Sequence, residues 1–165
     1  MNSILLKEPV KRAEKSIKEF DANLKVLVLD QTARTANEAA TALGCKVGAI
    51  IKSLLFKAGE DFVLCLVSGD KRCSLNKLKN ILKEKDVFMA NPEDVKKITG
   101  YTIGGVSPVG HLIKIKIFID ENLKNFESIF AAAGHPNAVF EIDFENLKKL
   151  TLGEIKEISE WENHN

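Results

Sequence analysis

The strongest constraint on the fold is a pair of apolar runs, "VGAIIKSLLFK" (47–57) and "DFVLCLVSG" (61–69), separated only by "AGE". Short runs rich in β-branched and aromatic residues, joined by a glycine-bearing turn, read as an antiparallel hairpin rather than two helices. Both strands must be largely buried, so the rest of the chain has to cover them. One residue breaks the pattern: Lys52 shares its strand face with Leu54 and Phe56. An inward ammonium is costly unless it meets water or an anion, so Lys52 lies either at a sheet edge or at a pocket.

The flanking segments supply the cover. Val10, Ala13, Ile17 and Phe20 recur at helical spacing, which predicts an amphipathic helix over the first twenty residues. "LKVLVLD" reads as a strand, and "TANEAATALG" as a short helix with a Thr35/Glu38 capping box and Gly44 as its stop. "SLNKLKNILKEK" begins at a Ser74 cap and turns Leu75, Leu78 and Leu82 inward; "DVFMA" is a brief strand. "NPEDVKKITG" carries an Asn91 cap, Pro92 at its first position and Gly100 at its end, a complete short helix. "HLIKIKIFID" alternates apolar and lysine residues as a half-exposed strand does. "ENLKNFESIFAAAG" divides into a helical turn and one arm of a second hairpin, closed by "GHPN" and returning through "AVFEID". "FENLKKLTLGEIKEISEW" reads as one or two helices. Helices and hairpins interleave, so the chain is α+β (mixed α/β) with a mixed sheet, fitting one domain over residues 1–165.

Several function classes fall away. A net charge of +1 excludes a globally basic nucleic-acid binder and leaves only local basic patches, such as Lys71 and Arg72 with Lys79 and Lys83 one helical turn apart. Cys45, Cys65 and Cys73 form no CxxC pair and have no histidine at ligand spacing, so no metal or other cofactor is expected; Cys65 reads as a buried thiol. No signal peptide or bilayer-spanning run is visible, which predicts a cytoplasmic protein without a membrane partner. Neither a dinucleotide-binding nor a Walker glycine pattern is present. His111 and His164 stand at no spacing that makes a serine triad, and His135 by pattern alone is a turn residue facing solvent.

"GYTIGGVSPVGH" (100–111) has no apolar period, yet holds four glycines, a proline and the two aliphatic hydroxyls of Thr102 and Ser107. Gly104 to Pro108 is either a plain Gly-Pro turn or a backbone shaped to approach a ligand. Glycine permits the close approach and proline stiffens the exit.

Taken in order, "TANEAATALGCKVGAIIKSLLF", "LVSGDKRCSLNKL", "GYTIGGVSPVGH", "IFID" and "AAAGHPNAVFEI" resemble the YbaK and prolyl-tRNA synthetase editing-domain family, the free-standing aminoacyl-tRNA deacylases. The resemblance implies a strongly curved, barrel-like mixed sheet with flanking helices. It implies hydrolysis, in trans, of the ester of a tRNA mischarged with a small amino acid of the cysteine, alanine, serine or threonine class. By the same resemblance Lys52 binds phosphate at the tRNA 3′ end. The backbone of Gly104, Gly105, Val106, Ser107 and Pro108 holds the aminoacyl group and orients water, assisted by the tRNA's own hydroxyl. Gly134 and His135 border the amino-acid pocket; Thr35, Ser53 and Asp70 are further substrate-binding candidates; Lys71, Arg72, Lys79 and Lys83 are candidate tRNA contacts. The expected partners are the tRNA acceptor end and an aminoacyl-tRNA synthetase. The alternative is a non-catalytic module of the same fold that holds tRNA or a synthetase.

Overall fold

The computed structural model describes residues 3–30 and 33–162. Its elements in chain order are α1 (Glu8–Phe20), β1 (Leu27–Val28), α2 (Ala36–Leu43), β2 (Ile51–Ala58), β3 (Asp61–Ser68), β4 (Lys71–Cys73), α3 (Leu75–Leu82) and β5 (Val87–Met89). They continue with α4 (Pro92–Thr99), β6 (Lys116–Asp120), β7 (Ile129–His135), β8 (Ala138–Ile142), α5 (Phe144–Thr151), β9 (Glu154–Lys156) and β10 (Ser159–Trp161). His164 lies outside the described residues.

The central hairpin forms as its pattern dictates. β2 and β3 pair antiparallel in unbroken register from Ile51↔Ser68 to Ala58↔Asp61, and they sit at the middle of a mixed sheet ordered β5-β2-β3-β6-β9. β6 and β9 join in parallel, β5 antiparallel. One face, with Ile51, Leu55, Leu64 and Leu66, enters the main core beside Val10, Ala13 and Ile17 of α1 and Phe140 of β8. The other face packs Phe56, Val63, Cys65 and Val67 against Leu78 and Ile158. The second hairpin, β7 with β8, forms a three-stranded sheet with β1 and carries α1.

No barrel forms: among the described residues the strands make three separate sheets, and none is closed or strongly curled. Closure would require the short edge strands β5 and β9 to meet. The two hairpin sheets are instead joined by one isolated bridge, Ile50 to Phe130.

Four local expectations also change. "LKVLVLD" pairs only at Leu27 and Val28, opposite the short edge offered by Val139 and Ala138. The lysine-alternating strand starts at Lys116, its first partner being Val63, because Ile113 N–H is drawn to Ile98 O at 3.1 Å. Phe20 and Leu75 end up exposed, each at a helix end beyond the reach of the core. The C-terminal segment is one helix and two strands. Leu152 in the left-handed region (φ 57°) stops α5, and Gly153, where a Cβ would lie 3.0 Å from Ile119, lets β9 lie close along β6. The capping predictions hold: Thr35 with Glu38, Ser74 and Asn91 each accept an amide hydrogen bond, while Gly44 and Gly100 adopt left-handed stops.

Candidate active site

β5 covers the outer edge of β2 only from Phe56 to Ala58, and Ala90 N–H extends the ladder to Leu55 O at 2.9 Å. Ahead of that point the β2 edge opens on a largely apolar cavity of about 310 Å³. Its walls come from β2, the start of α2, the second hairpin and the glycine loop. Lys52, Ser53, Thr35, Gly104 and Val106 all line it, so residues spread over the sequence converge on one space.

The two placements left open for Lys52 prove to be one, since it stands at an open strand edge that is also the pocket wall. Its Nζ donates to Glu162 Oε1 at 2.7 Å, an ion pair between half-exposed side chains 110 residues apart. Ser53 Oγ is buried and has no hydrogen-bond partner among the described residues. A desolvated hydroxyl without a partner is costly, and a ligand in the cavity can satisfy it. Thr35 Oγ1 is engaged as a helix cap, accepting from Glu38 N at 3.1 Å.

The glycine loop is braced from behind. Gly105 N–H donates to Thr102 O at 2.9 Å, closing a turn in which Gly104 takes φ 91°, a conformation suited to glycine. Tyr101, fully buried, donates its hydroxyl to Val109 O at 2.7 Å, and its ring lies 4.5 Å beneath the Arg12 guanidinium. Burial pushes the Tyr101 phenol up to about 12, so it remains a donor. Arg12 Nε donates to Gly110 O at 2.8 Å, and His111 Nε2 donates to Ser107 O at 2.7 Å. Desolvation holds His111 below its ordinary imidazole value, with Arg12 acting in the same direction against the Ser107 hydrogen bond. Ser107 is completely buried, and neither it nor Gly105 or Pro108 reaches the cavity wall. Among the described residues the Val106 and Ser107 amides have no backbone carbonyl as partner.

Gly105 lies directly on the second hairpin's turn, where a Cβ would come within 2.9 Å of the His135 backbone. Gly134 (φ 91°) in turn lies on α1, where a Cβ would meet Pro9 O at 2.5 Å. Pro136, not His135, lines the cavity. His135 Nδ1 accepts from Asn137 N at 3.0 Å, and desolvation, with Lys7 adding to it, lowers its affinity for a proton. Asp70 stands apart against Gly48 and Phe126, with one carboxylate oxygen buried and unpartnered among the described residues.

The basic candidates disperse. Arg72 pairs with Glu160 at 3.0 Å, Lys71 Nζ sits 4.3 Å over the Trp161 ring, and Lys79 and Lys83 flank a separate open groove with Lys85. The buried thiol is as expected: Cys65 is inaccessible, and a hydrogen bond with Cys73, then burial, hold it well above its ordinary value. Among the described residues no cluster of histidine, cysteine or carboxylate could hold a metal ion, and no helix is long and apolar enough to cross a membrane.

Sequence reasoning missed Tyr101 and Arg12 as loop supports, Pro136 as cavity wall, Asn137 and Glu162. Asn137 Nδ2 ties the turn to Asp30 O at 2.9 Å and Ala33 O at 3.1 Å, fixing the approach to Thr35. A buried aromatic inside a glycine-rich loop was a usable signal for Tyr101. For Glu162 there was none, because its partner is remote in sequence.

Known proteins resemble this chain in sequence and in fold. The profile of the aminoacyl-tRNA editing domain matches residues 30–150. The proline–tRNA ligase of Caldicellulosiruptor bescii is 34% identical over 128 residues, covering 78% of this chain and 21% of the ligase. The chain thus spans about a fifth of the length of that relative. The Bacillus subtilis protein YwhH, itself uncharacterized, is 28% identical over 131 residues, 79% of this chain and 83% of its own. Among solved structures, a candidate trans-editing enzyme for prolyl tRNA synthetase superposes with a TM-score of 0.89 at 35% identity, covering 93% of this chain and 98% of that one. The chain belongs to the aminoacyl-tRNA editing domain family.

Proposed function

We propose that the protein is a trans-acting deacylase that hydrolyses the ester of a tRNA mischarged with a small amino acid. The observation that carries this reading is the convergence of Lys52, Ser53 and, from the braced loop, Gly104 and Val106 on one largely apolar cavity. Its volume of about 310 Å³ is at the low end of the usual range for ligand sites, which suits a small acyl group. Lys52 binds a phosphate of the RNA 3′ end and so brings the ester to the cavity mouth. Val106 offers its amide to the carbonyl oxygen as it gains charge, with Ser107 packed behind it, and the buried Ser53 hydroxyl is a donor to the aminoacyl group. Water adds to the carbonyl carbon, the bond to the ribose oxygen breaks, and that oxygen leaves with a proton, assisted by the neighbouring ribose hydroxyl.

An aminoacyl ester is already activated, and well-oriented groups reach effective molarities of about 10⁵ M or more, so positioning can supply most of the acceleration. Gly134 and His135 act through the turn that supports the loop, with Pro136 as the wall; Thr35 closes the far side. Lys71, Arg72, Lys79 and Lys83 contribute only peripheral attraction to the tRNA. Asp70 is left as a support of the β3–β4 turn. A synthetase is the natural second partner, since several relatives that carry a matching segment are proline–tRNA ligases.

The test is incubation of the purified protein with tRNAs mischarged with alanine, serine, threonine or cysteine, following ester loss. Cleavage of at least one above background is expected. Binding of tRNA without cleavage of any would make the protein a non-catalytic module instead.

A further inference from the structure

The C-terminal segment lies beyond the residues that the family profile matches, which end at 150, and it is built into this molecule. Asp120, fully buried, accepts from Ile158 N at 3.0 Å and from Ser159 Oγ at 2.7 Å. Ser74 N donates to Ile158 O at 2.7 Å, and β10 pairs antiparallel with β4. From this anchored base three carboxylates reach out to three cations: Glu157 to Lys77, Glu160 to Arg72 at 3.0 Å, and Glu162 to Lys52 at 2.7 Å. The last pair occupies the ammonium on which phosphate binding depends.

We infer that the C-terminal segment is an intrasteric strap: Glu162 stands in for a ligand phosphate at Lys52 and must be displaced when RNA binds. The inference rests on the reading of Lys52 as a phosphate-binding residue. The design fits a displaceable contact. The base of the strap is held by buried hydrogen bonds, whereas Glu162 and Lys52 are both half-exposed, where an ion pair is weak and screened by salt. A polyanion, offering several charges at once and releasing counterions, outcompetes one carboxylate.

Trp161, the only tryptophan in the chain, is 67% exposed and immediately precedes Glu162, so its fluorescence reports on the strap. The experiment titrates an uncharged RNA minihelix ending in a single-stranded 3′ CCA into the wild-type, Glu162→Gln, Lys52→Gln and doubly substituted proteins at low and high salt. Affinity is read by labelled-RNA anisotropy, with Trp161 emission as a second signal. Glu162→Gln is expected to tighten binding about two- to five-fold at low salt, with no gain in the Lys52→Gln background, and wild-type emission is expected to change saturably with RNA. Unchanged or weaker binding by Glu162→Gln, or an equal gain without Lys52, would overturn the strap. If ester cleavage proceeds in the same preparations, that outcome removes the strap alone; if no variant binds RNA and no ester is cleaved, the deacylase reading falls with it.

Discussion

The two walls of the cavity are held in opposite ways. The glycine loop is fixed by buried partners, with Tyr101, Arg12 and His111 gripping its carbonyls and Gly105 seated on the second hairpin. Lys52 is fixed only at its backbone, by full pairing of β2 with β3, while its ammonium rests in a half-exposed ion pair. A wall that acts through backbone dipoles must be rigid, because a small displacement misaims every amide. A wall that acts through a long charged side chain needs a rigid root and a free head.

The comparison breaks most sharply at Lys52. Replacing it by alanine is expected to lower ester cleavage by about 10²–10³-fold, as truncation of one partner of a hydrogen-bonded charge pair does. Thermal stability should hardly move, since an exposed pair contributes ~0–1 kcal/mol. Activity assays beside a melting curve check this, and a large loss of stability would mean that the ammonium serves the fold.

Gly105→Ala tests the opposite wall. The added methyl meets backbone rather than a flexible side chain, so the loop or the Gly134–Pro136 turn must move. Stability should fall by ~1–3 kcal/mol, the usual cost of overpacking. Cleavage should drop by about 10²-fold in the protein that still folds. Retention of full activity would show that the loop's position is not what the reaction uses.

How far these walls were legible beforehand follows from the same contrast. Lys52 announces itself, since an ammonium in an apolar strand has few reasons to be there, and the hairpin and helix caps are local features written in neighbouring residues. The supports of the glycine loop are not local: Arg12 reaches Gly110 across 98 residues, and Asn137 reaches Ala33 across 104. The prediction of a barrel failed for a related reason, because sheet closure depends on which edges meet. The C-terminal strands were misread as helix because their apolar residues are few and their pairing with β4 and β6 lies far back along the chain.

Tyr101→Phe sharpens the picture with a smaller change. It removes the phenol hydroxyl, and with it the hydrogen bond to Val109 O and the weaker contacts with Arg12 and Ser107, at a cost of ~1–2 kcal/mol. Cleavage should fall only about three- to ten-fold if the other two grips hold the loop, the misplacement being slight. A loss as large as that of Gly105→Ala would make Tyr101 the dominant brace.

The smallest effect concerns pH. His111 is held below its ordinary value of 6.5 by desolvation first, so the folded state binds its proton less readily than the unfolded state does. Its contribution to stability is therefore complete above 6.5 and is lost as pH falls through the lowered folded value. His135 acts in the same direction, which is why the test is a difference rather than a single curve. Melting temperatures of the wild type and of His111→Gln, which keeps an N–H donor for Ser107 O, are compared at pH 8 and pH 5. The wild type should lose more on acidification than the variant. Parallel losses would mean that His111 is not the titrating group, and the glycine wall would then depend on Tyr101 and Arg12 alone for its grip.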